Sequence, residues 1–475
     1  MATAGVRRML PGDGPAPVRP RPETVDPVWD GDAVQALRDR EYGRLDGLDQ
    51  VYLDYTGGGL YAQSQLDEHQ RRLRSSVLGN PHSDSPAAAA STRLADAARS
   101  AILAFLNASP DEYDVVFTAN ATAALKLVGE SYPFAAGGRL LLTADNHNSV
   151  NGIREFARAA GAAVDYLPLT VPELRIDEAA VLAALDRPST AGAGLFAFPA
   201  QSNYSGVRHP LDWIALARDR GWDVLLDASA FVPTNVLDLG RWRPDFVAVS
   251  WYKVFGYPTG VGSLVARHEA LARLRRPWFA GGSIGVVSVA TQRNTWSAGH
   301  IGFEDGTVDY LGLPGIEIGL RHIESIGMPV IHRRTAWLTR RLLERMTALS
   351  HRDGTPLVRL YGPADDVDRG VTIPFNVLDR TGGVVGFWAV EAAAAAQRIS
   401  VRTGCFCNPG ASEAARGITA DDMDRVFALG RPASITELAA MMPGKALGAV
   451  RASVGIATTE RDIDRFVAFL EGFAG

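Results

Sequence analysis

Cysteine is nearly absent: of 475 residues only Cys405 and Cys407 carry a thiol. Two thiols two positions apart cannot build a disulfide framework, and a lone Cys-x-Cys pair lacks the second ligand cluster of a structural zinc site. The expected setting is therefore a reducing one, the cytosol, with no metal. Lysine is almost as scarce. Lys126, Lys253 and Lys445 are the three present, all other basic residues being arginine, so few amines are available as nucleophiles. No apolar run approaches the roughly 20 residues that span a bilayer, and the proline-rich start around 15–27 has no hydrophobic signal region. Charge of one sign is also missing. The 48 basic and 53 acidic groups leave a net charge of -5, which offers no field for nucleic acid or an anionic membrane; a small molecule is the expected partner.

What is present is a hydrophobic content of 47% in a chain longer than one core usually organises, so two lobes are expected. Residues 1–25, rich in Pro, Gly and Arg, read as a disordered tail. Residues 26–315 read as a large lobe and 316–475 as a smaller C-terminal α+β lobe. In the large lobe seven short apolar runs, at 114–118, 139–143, 163–167, 194–198, 223–227, 245–250 and 260–265, alternate with helical patterns such as 91–106 and 211–220. That alternation predicts an α/β fold built on a mostly parallel, seven-stranded sheet covered on both faces. A strand at 448–454 and an acidic-start helix from about 460 close the C-terminal lobe.

In open α/β sheets ligands sit beyond the carboxyl ends of the strands, so polar residues that follow the apolar runs are the first candidates. Asp227 ends one run, His147 follows another, and Ser250 ends a third with Lys253 three residues on. Taken singly, each has an ordinary explanation: a turn or cap aspartate, a satisfied histidine, a solvated lysine. Their joint order carries more weight than any one of them.

The runs Asn-Pro-His-Ser at 80–83, Asn-His-Asn-Ser-Val at 146–150, Asp-Ala-Ser-Ala-Phe-Val at 227–232, Ser-Trp-Tyr-Lys-Val-Phe-Gly-Tyr-Pro-Thr-Gly at 250–260, Phe-Glu-Asp-Gly-Thr at 303–307 and Arg-Thr-Gly-Cys-Phe-Cys-Asn-Pro-Gly at 402–410 occur in that order. From about 50 to 470 the chain thereby resembles fold-type I pyridoxal 5'-phosphate (PLP) enzymes of the class V aminotransferase, or cysteine desulfurase, type. It is most similar to the N-terminal, desulfurase part of molybdenum cofactor sulfurases.

The resemblance implies roles. Lys253 would carry PLP on its amine and later act as base, Asp227 would face the pyridine nitrogen and keep it protonated, and His147 would lie flat on the ring. Ala121 N–H, the Thr122 hydroxyl and Ser250 would cradle the phosphate at a helix start, with Thr307 reaching the phosphate of a partner subunit and so implying a homodimer with shared active sites. Asn203 would contact the cofactor and the substrate, and Arg402 would grip the substrate carboxylate with its planar fork. Cys407 would accept sulfur as a persulfide, its thiolate favoured by a nearby cation such as Arg402. Ala230 and Tyr252 stand where bacterial housekeeping desulfurases carry glutamine and histidine, which agrees with the sulfurase-like branch.

The expected activity is cleavage at L-cysteine or an S-substituted cysteine by β-elimination or desulfuration. The chain stops near 475 without the further C-terminal domain of the sulfurases. Together with the arginine-rich composition, this leads to the expectation of specialised-metabolite, lincosamide-type antibiotic biosynthesis by analogy. The alternatives are oxidative decarboxylation of such a conjugate to an aldehyde, with dioxygen as oxidant, and molybdenum cofactor sulfuration through a cysteine persulfide. A non-catalytic scaffold is disfavoured by the intact Lys253, Asp227 and His147 set.

Overall fold

The computed structural model describes residues 31–475 apart from 82, 188, 191 and 193. The expected tail at 1–25 and His82 of the Asn-Pro-His-Ser run lie outside the described residues. Seven strands form the central sheet in the spatial order Tyr113–Thr118, Gly262–Arg267, Phe246–Ser250, Trp222–Asp227, Gly194–Pro199, Arg139–Thr143 and Ala163–Leu167. Each matches one of the seven apolar runs. The sheet is parallel except for Gly262–Arg267, which pairs antiparallel with both of its neighbours.

Alternation of side chains along each strand explains why the inner runs are so apolar: both faces are covered, except along the edge strand Ala163–Leu167, where Ala163 and Tyr166 are exposed. Phe117, Leu141, Phe196, Val224 and Val249 point into one core with Ile102, Trp213 and Ile316. Their chain neighbours Val116, Leu142, Leu195, Leu225 and Ala248 enter the other, with Leu125 and Ile153. Fully burying side chains of this kind contributes about 1.5–3 kcal/mol each, before the entropy cost of ordering them.

The second lobe has a four-stranded antiparallel sheet in the order Val358–Leu360, Thr372–Val377, Ala449–Ser453 and Arg402–Gly404. The helices Met328–Thr347 and Glu460–Glu471 pack on it through Leu338, Leu342, Phe466 and Leu470. Packing crosses the expected division at 315/316 in both directions. Val51 and Leu53 are wholly buried in the C-terminal core, because Val51–Tyr52 pairs in parallel with Ile399–Ser400 and Asp54 bridges Ser453. Conversely, the Pro314–Ile326 helix turns Ile316, Leu320 and Ile323 into the core of the large sheet. The segment that follows Asp54 therefore runs between the lobes, past the carboxyl ends of the parallel strands.

Candidate active site

Those strand ends surround one cavity of about 310 Å³, lined by Asn120, Thr122, His147, Asn203, Asp227, Ser250 and Lys253 among others. At one end the Ala121–Ser131 helix begins. Its cap is Asn120, whose Oδ1 accepts the Ala123 N–H at 2.9 Å, and the turn lies so close on the Gly262 strand that a Cβ there would come within 2.5 Å of the Asn120 carbonyl carbon. Glycine is required at that point. Thr122 Oγ1 meets Ser149 Oγ at 2.7 Å, so two hydroxyls sit beside the positive end of the helix, an arrangement suited to an anion. The Ala121 N–H, expected on the phosphate and carried by a residue of the cavity wall, is taken within the protein. It donates to Ser250 Oγ at 2.9 Å, because Ser250 ends its strand directly against the helix start; this donor reaches a ligand only through the serine hydroxyl.

At the other end stands Asp227, its Oδ1 accepting the Ser229 N–H at 3.0 Å. Lys253 lies between, on the short helix Tyr252–Phe255. Two glycines press this turn against the chain at 57–61. A Cβ on Gly59 would lie 2.9 Å from Lys253 O, and one on Gly256, whose φ is 80°, would lie 2.3 Å from Tyr61 N. Burial pushes the lysine amine down from its ordinary range; Asp227 opposes this and the charge of Arg451 adds to it. Burial likewise holds the His147 imidazole below its usual value, against the pull of Asp227.

The 405–408 turn carries the two thiols. Phe406 and Cys407 both have positive φ, 56° and 54°, which costs roughly 1–3 kcal/mol each. Hydrogen bonds hold the turn in place. Asn408 N–H donates to Cys405 O at 3.0 Å, Asn148 N–H to Cys407 O at 2.7 Å, and Asn203 Nδ2 to Phe406 O at 2.8 Å. Asn408 Nδ2 in turn donates to Asp145 O and to Asn203 Oδ1. Cys407 is thus exposed on a turn tied to Asn203 of the cavity wall and to Asn148 beside His147.

Three expected site residues do not line this cavity: Cys407 on the 405–408 turn, Arg402 and Thr307. Arg402 does not line the cavity: its Nε and Nη2 both donate to Asp54 Oδ2, at 3.0 and 2.6 Å, and the side chain is 53% exposed. The fork that the resemblance assigns to a substrate carboxylate is held by an internal one. Thr307 accepts from Asn80 Nδ2 at 3.1 Å in a neighbouring cavity of about 370 Å³ with Lys126, Glu130 and Asp305; the two cavities share Gly260.

One cation went unnoticed in the sequence. Arg451 is 3% exposed, stacks over Phe406 and donates to Asn203 O at 2.9 Å and to Asp54 Oδ1 at 3.1 Å. The signal that could have found it is a lone charge inside the apolar strand at 448–454. Gln201 was also missed. It lines the Lys253 cavity, and its buried Nε2, like Ser229 Oγ on the same wall, has no protein partner among the described residues.

This donor set fits PLP: a carboxylate for a pyridine nitrogen, a lysine of lowered pKa for an aldehyde, hydroxyls and a helix start for a phosphate, and unpaired polar atoms on the wall between them. Among the described residues there is no His, Cys, Asp and Glu cluster that could hold a metal, and no helix is long and apolar enough to cross a membrane.

Comparison with known proteins agrees with this geometry. Residues 51–466 match the family described as aminotransferase class-V. The molybdenum cofactor sulfurase of Bos taurus is 35% identical over 468 residues, 92% of this chain and 51% of the relative; that of Drosophila mojavensis is 37% identical over 92% of this chain and 59% of the relative. The chain spans between 51% and 60% of the length of the curated relatives it matches. Among solved structures, an apo cysteine desulfurase from Thermococcus onnurineus NA1 superposes with a TM-score of 0.76 at 23% identity, over 93% of this chain and 98% of that one. The cystine C-S lyase in complex with its product cysteine persulfide gives 0.68 at 21% identity, over 91% and 100%.

Proposed function

This chain belongs to the class V aminotransferase family of PLP enzymes, and we propose that it cleaves the sulfur-bearing side of L-cysteine or an S-substituted cysteine. The observation that carries this reading is one cavity wall that brings Lys253, Asp227 and His147 together with Asn203, whose Nδ2 holds the turn of Cys407 and whose carbonyl accepts from Arg451. Bound there, PLP supplies a ring that accepts electrons from a bond broken at the substrate's Cα.

The protein's residues divide the remaining work. Asp227 holds the ring nitrogen protonated. Thr122, Ser149 and the hydroxyl of Ser250 bind the phosphate, and Thr307 of the partner subunit completes that end in a homodimer. Its position in a separate cavity joined through Gly260 supports this, since it does not reach Lys253 within one chain. Arg451 takes the substrate carboxylate through Nε, which has no partner among the described residues, while its Nη atoms are held by Asn203 and Asp54; the Nε of Arg402 is spent on Asp54. With the carboxylate held, Lys253 takes the proton from Cα.

Elimination then breaks the Cβ–S bond, and with one water yields a thiol, pyruvate and ammonium. In the second reading the Cys407 thiolate takes the sulfur of L-cysteine, giving alanine and a persulfide on Cys407. Similarity to molybdenum cofactor sulfurases and the exposed, rigid turn favour this course, with the molybdenum cofactor as acceptor. Incubation of holoenzyme with L-cysteine and a series of S-alkyl cysteines, products identified by mass, tests both. Pyruvate with a thiol supports elimination, and alanine with sulfide supports relay. Carbon dioxide with an aldehyde would replace both by oxidative decarboxylation.

A further inference from the structure

Arg402 and Arg451 are direct cross-strand partners in the antiparallel pair Arg402–Gly404 and Ala449–Ser453. Like charges opposite one another on a sheet repel, and here one of the two is fully buried. The structure places a single carboxylate across them. Asp54 gives Oδ2 to both donors of Arg402 and Oδ1 to Arg451 Nη2. Its surroundings fit that task closely. Asp54 bridges Ser453 on the same strand as Arg451, and the turn beyond it folds back so tightly that a Cβ on Gly57 would lie 2.5 and 2.6 Å from the two carboxylate oxygens and 2.8 Å from Arg402 Nη2. Arg451 Nε is buried and has no partner among the described residues.

We propose that Asp54 is a positioning residue that splits this arginine pair and, by cancelling one of its two charges, restricts the site to ligands with a single carboxylate. The inference rests on the reading that Arg451 receives the substrate carboxylate. Asp54 draws Arg402 outward to the surface and fixes Arg451 with its Nε–H unspent. Two arginines and one aspartate leave a surplus of one positive charge, which one carboxylate neutralises. A second carboxylate on the same ligand finds no charge left over in this trio and is repelled by Asp54.

The test uses L-asparagine and L-aspartate, which differ by one charge and carry no sulfur, so its outcome does not depend on whether C–S bonds are cleaved. Dissociation constants are read from the change in cofactor absorbance of the holoenzyme. In Asp54→Asn the surplus becomes two charges, and affinity for aspartate relative to asparagine should rise about tenfold, the effect of one charge at roughly 6 Å in a partly screened site taken conservatively. The double variant Asp54→Asn with Arg402→Gln restores a surplus of one and should return the ratio to within about twofold of the parent. Asp54→Glu should keep the parental ratio. Should Asp54→Asn not fold, Arg402→Gln alone removes the surplus, and its ratio should fall about tenfold. A merely structural Asp54 would weaken both ligands alike, so an unchanged ratio in the single variants, or a double variant that stays with Asp54→Asn, overturns the proposal. Ratios that shift as stated in an enzyme that cleaves no cysteine conjugate would sink the proposed activity and leave the role of Asp54 standing.

Discussion

Ser149 donates its backbone N–H to Nδ1 of His147 at 3.1 Å, which leaves the neutral imidazole its proton on Nε2. The tautomer is thus set by the first turn of the short helix that His147 caps. Because burial lowers the His147 pKa, the folded protein binds fewer protons than the unfolded chain once the pH drops below the ordinary histidine value of about 6.5. The stability tied to its neutral form is therefore complete above that value and is lost as pH falls through the lowered folded pKa. Half-buried His322 and His332 are shifted in the same direction, so the comparison has to be differential. Between pH 8 and 5.5 the apo-protein's melting temperature should fall more in the parent than in His147→Asn. Equal falls would mean that His147 titrates as it does in water.

Lys253→Ala should lose all cofactor that survives borohydride reduction followed by denaturation. Neither other lysine can stand in. Lys126 pairs with Glu130 on the wall of the Thr307 cavity, and Lys445 is paired with Asp422 in the C-terminal lobe. Retained cofactor in the variant, detected by the mass of the denatured chain, would contradict the assignment.

Much of this was legible before any coordinates. All seven strands of the large sheet coincide with the apolar runs; the inner ones, buried on both faces, have no polar alternation to blur them, while the edge strand Ala163–Leu167 keeps a polar, partly exposed pattern. Direction was not legible: Gly262–Arg267 reads like its parallel neighbours, because burial is the same for either orientation. Val51–Tyr52 is two residues long and gives no period at all, so its place in the C-terminal sheet layer could not be read. Lys253, Asp227 and His147 stand out as polar residues at or after strand ends whose roles the resemblance implies, and the structure sets all three on one cavity wall. Arg451 does not stand out, since its role depends on a cross-strand partner and on Asp54, 397 positions away. The pathway that this enzyme serves has no counterpart in the geometry.

Asp227→Ala should cost at least about 100-fold in kcat at saturating PLP, the scale of removing one preorganised electrostatic stabiliser. The cavity wall is otherwise unchanged, Asp227 spending only Oδ1 on the Ser229 N–H. Turnover within tenfold of the parent would require another group at the ring nitrogen.

Cys407→Ala separates the two proposed courses. Under sulfur relay, alanine formation from L-cysteine should stop while cofactor absorbance still responds to the amino acid. Under elimination, pyruvate from S-alkyl cysteines should persist within a fewfold. The thiol lies on a turn held by backbone and asparagine contacts, so its removal leaves those contacts in place and the melting temperature should move little.

Val51 and Leu53 have a consequence for how this chain comes to fold. The C-terminal core takes in two side chains made some 300 residues before its own helices and strands, so during synthesis that early segment has nothing to pair with until nearly the whole chain has emerged. Contacts so distant in sequence close late and at high entropic cost. The C-terminal lobe accordingly waits on the N-terminal segment, and with it waits the interlobe passage on which Asp54 meets its two arginines.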